Sequence, residues 1–257
     1  ARNKIDLNQY LSVWKKNHGK SSISVSTQRG CPYTCKWCSS AVYGQSYRRR
    51  SPKIVVDELE ELNKVYNHDQ IWFVDDVFTI SHKWLHEFKD ELISRKLNIS
   101  FECITRADRM NHDVIKSLKE AGCFRVWIGA ESGSQKILDA MDRRVDVTQV
   151  QNMIKAAKKE GIETGTFIML GYPGETEEDI MITLDHLRRS NPDHFTITVA
   201  YPIKGTALYD LALPSQSKLP WAVSTDRDIG LNREYPRKYY SIALRWVVNN
   251  MRLFRLN

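Results

Sequence analysis

Three of the five cysteines in this 257-residue chain fall within eight residues, Cys31-Pro32-Tyr33-Thr34-Cys35-Lys36-Trp37-Cys38. Thiolates spaced C-x3-C-x2-C on a short loop can turn inward and hold three irons of a [4Fe–4S] cubane. The fourth iron is then open, and an open iron can bind the amino and carboxylate groups of a small molecule. A fourth nearby ligand would close the cluster into an electron carrier. Zinc is the structural alternative, but a structural zinc site takes four ligands in paired spacing, and no His or other Cys lies close in sequence to complete one. An odd number of cysteines, three of them crowded, makes a poor disulfide framework and a good metal or cluster site in a reducing compartment. Cys103 and Cys123 lie on or beside apolar segments and are expected as buried small hydrophobes.

Such a loop needs a frame, and the chain alternates strand-like with helix-like segments, the order of an α/β protein with a parallel sheet. Short apolar or alternating runs rich in β-branched and aromatic residues predict six strands: Ile23–Thr27, Ile71–Asp75, Ile99–Ile104, Arg125–Ala130, Thr164–Leu170 and His194–Ala200. Ser51-Pro52 starts a helix to Asn67, with Val55, Leu59, Leu62 and Tyr66 at helical spacing. Ser81 and Asn111 open two more, and Gly122 stops the second of these. Asp146 with Gln149 resembles a capping box for a helix ending at Gly161, and Thr176 precedes a first turn of Glu177, Glu178 and Asp179, whose charge suits a helix N-terminus. Six βα units curl into an incomplete barrel, the partial (β/α)6 form. From Leu211 to Pro236 the pattern breaks at Pro214, Pro220 and Pro236, which predicts a loop. Tyr239, Ile242, Ala243 and Trp246 then mark a terminal amphipathic helix.

Parallel barrels place chemistry at the carboxyl ends of their strands. Those ends here hold the cysteine loop, Asp75-Asp76, Thr105-Arg106, Glu131-Ser132-Gly133, Gly171-Tyr172-Pro173-Gly174-Glu175 and Tyr201-Pro202. The cysteine loop with Trp37, the run Phe73–Thr79, the run Ile128–Gly133 and the run Gly171–Thr176 together resemble, in order and separation, the motifs of radical SAM enzymes. The resemblance covers most of the chain. It implies a radical SAM partial barrel in which an electron from the cluster splits S-adenosylmethionine (SAM) into methionine and a 5′-deoxyadenosyl radical. It further implies that Asp75 and Asp76 hold the SAM ammonium, that Glu131 and Ser132 contact its ribose or methionyl part, and that Arg106 pairs with a carboxylate. It also implies that Gly171 lets backbone approach the adenine and that Trp37 lines the adenine pocket. Each has a structural alternative: a helix cap or turn for the aspartates, a rim salt bridge for Arg106, a tight strand exit for Gly171, and a cover over the cluster for Trp37. An electron donor such as flavodoxin or ferredoxin and a small-molecule or peptide substrate follow as partners.

The opening Ala1–Leu7 with Tyr10, the Tyr47–Pro52 segment and the Phe73–Thr79 run resemble the radical SAM proteins that follow a cobalamin-binding domain. That resemblance implies methyl transfer or ring formation at unactivated carbon, with cobalamin above the SAM site. The chain has no Asp-x-His-x-x-Gly cobalamin motif and does not begin with Met. Residues 1–20 are therefore expected as a linker from a missing cobalamin-binding domain, 21–210 as the barrel, and 211–257 as a loop and C-terminal helical extension. The net charge of +7 suits a nucleic acid, an anionic surface or an acidic substrate without demanding one, and Arg48-Arg49-Arg50 is expected as a solvated or phosphate-tolerant loop. Two rival readings are a cobalamin-independent radical SAM enzyme acting on RNA and a non-enzymatic iron–sulfur module. A methylthiotransferase-type RNA enzyme would bring further cysteines, and a plain electron carrier does not need a carboxylate-rich rim. No run of about 18 apolar residues spans a bilayer and the opening lacks the apolar core of a signal peptide, so a cytoplasmic protein is expected.

Overall fold

The computed structural model describes residues 5–39, 46–212 and 225–256. In chain order its elements begin with α1 (Leu7–His18), β1 (Ser22–Val25), β2 (Gln28–Arg29), β3 (Arg48–Arg49), α2 (Pro52–Val65), β4 (Gln70–Phe73), α3 (His82–Ser94) and β5 (Phe101–Thr105). They continue with α4 (His112–Glu120), β6 (Cys123–Glu131), α5 (Gln135–Ala140), α6 (Val147–Lys159), β7 (Glu163–Leu170), α7 (Glu177–Ser190), β8 (His194–Val199) and α8 (Arg237–Leu256). One sheet runs β1-β4-β5-β6-β7-β8 with every neighbouring pair parallel. β1 and β8 stand at its two ends unpaired with each other, so the barrel is partial.

The helices start where their caps dictate. Ser51, Ser81, Asn111 and Asp146 each accept a backbone N–H of the first turn through the side chain, and Thr176 with Asp179 forms a reciprocal capping box. On the sheet's outer face Ile23, Val25, Ile71, Phe73, Phe101, Cys103, Val126 and Ile128 are fully buried against the helices, as expected of Cys103, and Cys123 is buried too. Each large apolar side chain so buried contributes roughly 1.5–3 kcal/mol. Phe73, Phe78, Phe88 and Phe101 make stacked and edge-on ring contacts within this core, so the Phe73–Thr79 run is largely a packing unit. The opposite face, with Trp72, Glu102, Trp127 and Phe167, lines a cavity of about 1030 Å³ bounded below by α1.

Several expectations change. Residues 1–20, expected as a linker, contain the helix α1, seated through Leu11. Thr27 and Asp75 leave strands β1 and β4 because they bond to each other instead. The ribbon β2–β3 and the short helix α5 have no counterpart in the periodicity, being too short to show one. In α8 the buried face is Tyr240, Ala243, Val247 and Met251, one residue round from the expected stripe, and Ile242 and Trp246 face outward. The Tyr240 hydroxyl, donating to the Glu175 carbonyl at 3.1 Å, fixes that rotation. Pro214 and Pro220 of the expected loop lie outside the described residues, as does the opening Ala1–Lys4. Among the described residues no helix is long and apolar enough to cross a membrane.

Candidate functional site

The cysteine loop leaves the carboxyl end of the sheet just after ribbon strand β2 and is tied down from two sides. Lys36 N–H donates to the Met141 carbonyl at 3.0 Å, and the Lys36 carbonyl accepts from Leu208 N–H at 2.8 Å. The Thr34 hydroxyl donates to Asp142 at 2.7 Å. Trp37 packs on a second apolar cluster at this rim, made of Ile137, Leu138, Met141, Met169, Tyr172, Ala200, Leu208 and Leu231. Helix α5 supplies much of that floor, so an element invisible to periodicity positions the loop.

Cys31 is buried and Cys35 and Cys38 are half-buried, all with free thiols. Burial pushes the Cys31 thiol up to about 11, with Asp76, Cys38 and Cys35 adding in the same direction. Burial also raises Cys35, but the guanidinium groups of Arg143 and Arg106 pull it back. Three cysteines whose thiolates would repel one another in one partly dry loop suit a bound cationic metal group, which would hold them ionised. Among the described residues no three His, Cys, Asp or Glu side chains converge on one point as a single metal ion requires. Three ligands to three separate irons have no such requirement. Three free cysteines on one partly buried loop are a donor set that suits a cubane.

Two arginines face this loop. Arg106, nearly fully buried, directs Nη1 at Cys35 Sγ (3.6 Å) and Nη2 at the Arg143 carbonyl (2.8 Å). Its Nε is held by Asp108 at 2.8 Å, and its plane lies 3.8 Å over the Tyr33 ring. Arg143, which the sequence did not single out, donates from Nη2 to the Gly129 carbonyl at 3.0 Å and approaches Glu131 at 3.9 Å. Among the described residues its buried Nε has no hydrogen-bond acceptor, Glu131 Oε1 standing at 3.9 Å, and its charge acts on Cys35. Gly129 is what admits it, because a Cβ there would stand 2.7 Å from Arg143 Nη2.

The remaining expected residues divide. Glu131 takes a left-handed backbone (φ 65°) at the end of β6, a conformation costing about 1–3 kcal/mol for a non-glycine residue. Burial raises its carboxyl, against the pull of Arg143 and Arg106. Asp76 is exposed at the rim, close enough to Cys31 to raise its thiol. Asp75 is buried and already engaged, accepting from Thr27 N–H (2.7 Å), the Thr27 hydroxyl and Gln28 N–H (3.1 Å). Arg49 stands 3.8 Å from it and stacks 3.5 Å over Trp84, so the middle of the Arg48–Arg50 run is core rather than solvated. Ser132 is likewise internal, its hydroxyl accepting from Ser134 N–H at 3.1 Å beside Thr183. Asp75 thus matches the turn alternative given for it, and Ser132 also bonds within its own turn.

Gly171 (φ 79°) also turns inward to structure. Its N–H donates to Glu175 Oε2 at 2.5 Å, its carbonyl accepts from Arg233 Nε at 2.9 Å, and a Cβ would meet the Tyr240 ring at 3.1 Å. Burial holds the Glu175 carboxyl up at about 8, far above the 4.5 of an exposed glutamate. The fold therefore favours the neutral acid, and wild-type stability declines as pH rises from about 4.5 to about 8 on this group's account. Glu175→Gln keeps an acceptor for Gly171 and removes that slope. The variant is expected to match wild type near pH 5 and to exceed it near pH 8 in urea unfolding; an equal difference at both values would contradict this.

Residues 25–187 match the family model of the Radical SAM superfamily. An uncharacterized methyltransferase of Pyrococcus horikoshii is 35% identical over 191 residues, covering 74% of this chain and 41% of that protein. The anaerobic magnesium-protoporphyrin IX monomethyl ester cyclase of Rubrivivax gelatinosus is 36% identical over 169 residues, covering 64% of this chain and 30% of that protein. The solved structure of the radical S-adenosylmethionine methyltransferase TsrM from Kitasatospora setae, with cobalamin and a [4Fe-4S] cluster bound, aligns with TM-score 0.67 at 20% identity. It covers 73% of this chain and 36% of that chain, a likeness of fold. This chain spans less than half the length of these curated relatives.

Proposed function

This chain belongs to the radical SAM superfamily, and we propose that it is the barrel of an enzyme holding a [4Fe–4S] cluster on Cys31, Cys35 and Cys38 and SAM on the open iron. When bound, the cluster supplies the electron that splits SAM into methionine and a 5′-deoxyadenosyl radical. The observation carrying this reading is the three-thiol loop at the sheet's carboxyl rim, with Arg106 and Arg143 compensating Cys35. Asp76, exposed at the rim beside Cys31, is the carboxylate for the SAM ammonium. Arg143, whose Nε makes no hydrogen bond among the described residues and lies 3.9 Å from Glu131, is the cation for its carboxylate, since the donors of Arg106 are already directed at protein atoms. Glu131, pinned by its left-handed backbone next to Arg143, accepts from the ribose hydroxyls, and Trp37 shields the adenine from water. Asp75 and Ser132 hold the turns beneath them.

At the finer level, we propose cobalamin-dependent methyl transfer or ring formation at an unactivated carbon of a small molecule or peptide. Flavodoxin or ferredoxin in the cytoplasm would supply electrons. The relatives that are methyltransferases and a cyclase support this reading. Residues 21–210 are then the catalytic barrel, 211–257 its extension, and 1–20, with α1, the join to a cobalamin-binding domain. The complete gene product, titrated anaerobically with hydroxocobalamin and then given SAM, reductant and substrate, should yield both S-adenosylhomocysteine and 5′-deoxyadenosine if it transfers methyl groups. Cobalamin binding that leaves both products unchanged would overturn the cobalamin reading.

A further inference from the structure

We propose that Arg106 is a positioning residue that sets the reduction potential of the cluster through Cys35, rather than a contact to SAM. The inference rests on the proposed cluster site and deepens it. Arg106 is nearly fully buried, and each part of its guanidinium is assigned. Asp108 holds Nε (2.8 Å) and Nη2 (3.3 Å), the Arg143 carbonyl holds Nη2 (2.8 Å), and the Tyr33 ring lies beneath the plane at 3.8 Å. These contacts fix the fork in one orientation and leave Nη1 aimed at Cys35 Sγ, at 3.6 Å. That separation would be long for oxygen, but sulfur is larger.

The consequence for a bound cluster follows from charge. A fixed cation and an N–H donor at a ligand sulfur stabilise the state with more negative charge, and hydrogen bonds to sulfur are among the terms that set iron–sulfur potentials. Adding one electron to the cluster makes it more negative, so Arg106 favours reduction. The contact is also local: Arg106 Nη1 faces the sulfur of Cys35 at 3.6 Å. Arg106 is therefore expected to act on the iron held by Cys35. Tyr33, which also accepts from Arg109, belongs to the same clamp because it lies inside the loop it supports.

The test compares wild type, R106Q and R106K after anaerobic reconstitution with iron and sulfide. Iron content and the midpoint potential for one-electron reduction, titrated with dithionite and followed by electron paramagnetic resonance, are measured with SAM absent. R106Q should keep its iron while reduction becomes about tenfold less favourable, a midpoint about 59 mV more negative. R106K, which keeps the charge but not the planar fork, should shift less in the same direction. An unchanged midpoint in an iron-replete R106Q, with only SAM affinity reduced, would overturn the proposal in favour of a SAM contact. Loss of iron from both variants would overturn it in favour of a simple loop staple. A wild-type protein that takes up no [4Fe–4S] cluster would refute the cluster site itself, a separate outcome visible before any variant is made.

Discussion

Replacing Cys31, Cys35 or Cys38 singly with Ala is expected to abolish both the brown absorbance of the reconstituted protein and its cleavage of SAM. Each thiolate would hold a different iron, so no neighbour substitutes for it. The loop would not collapse with the loss, because its backbone is held by Met141 and Leu208 and its Trp37 by a separate apolar cluster. The variants should therefore remain folded, with circular dichroism like that of wild type. Cys103→Ala and Cys123→Ala are the matched controls: both thiols are buried in the sheet's outer core, so their loss should cost roughly 1 kcal/mol of stability and leave the cluster intact. Loss of the cluster in either control, with the fold retained, would contradict the ligand assignment, as would a brown protein lacking one of the three loop cysteines.

The second large effect belongs to two adjacent aspartates that should behave oppositely. Asp75→Asn leaves Arg49 buried beside Trp84 without the carboxylate 3.8 Å away, and among the described residues Arg49 Nη1 and Nη2 have no hydrogen-bond partner. The amide oxygen can still accept from Thr27 N–H and Gln28 N–H, but the NH2 then takes the place of the oxygen that accepts from the Thr27 hydroxyl and faces Arg49. Breaking a buried charge pair from one side costs about 3–5 kcal/mol. A fall of that size in denaturation stability is expected for Asp75→Asn. Asp76→Asn should unfold like wild type but bind SAM about ten- to a hundredfold more weakly, the loss of one charge-assisted hydrogen bond of roughly 1.5–3 kcal/mol. A stable Asp75→Asn with weakened SAM affinity would return Asp75 to the ligand-binding role that the motif resemblance implies.

The division between these aspartates shows where sequence reasoning stops. The six strands, their parallel order and five helix starts were legible because hydrophobic period and capping chemistry are local: Ser51, Ser81, Asn111, Asp146 and Thr176 each bond within three residues of themselves. The cysteine loop was legible for the same reason. What periodicity could not supply were contacts across the chain. Arg143 reaches the site only because α5 folds back over the rim and Gly129 leaves room for it. Arg49 looks like part of a basic surface run until β2–β3 pairing turns it inward toward Asp75. Asp75 and Asp76 alternate across the rim, so one faces the core and the other solvent. One signal was present and unused: in Gly171-Tyr172-Pro173-Gly174-Glu175 a glutamate closes a tight glycine turn. Its carboxyl oxygen accepts from the Gly171 N–H and the turn packs against Tyr240 of α8, a structural role for a run that otherwise looks like a cofactor loop.

The central claim is that the three-thiol loop carries a cluster able to cleave SAM. Anaerobically reconstituted wild-type protein, incubated with SAM and dithionite and assayed by mass spectrometry, should form 5′-deoxyadenosine and methionine. The Cys35→Ala variant under the same conditions should form neither. A wild-type protein with its full [4Fe–4S] complement that binds SAM yet forms no 5′-deoxyadenosine, or equal product from wild type and Cys35→Ala, would contradict the claim.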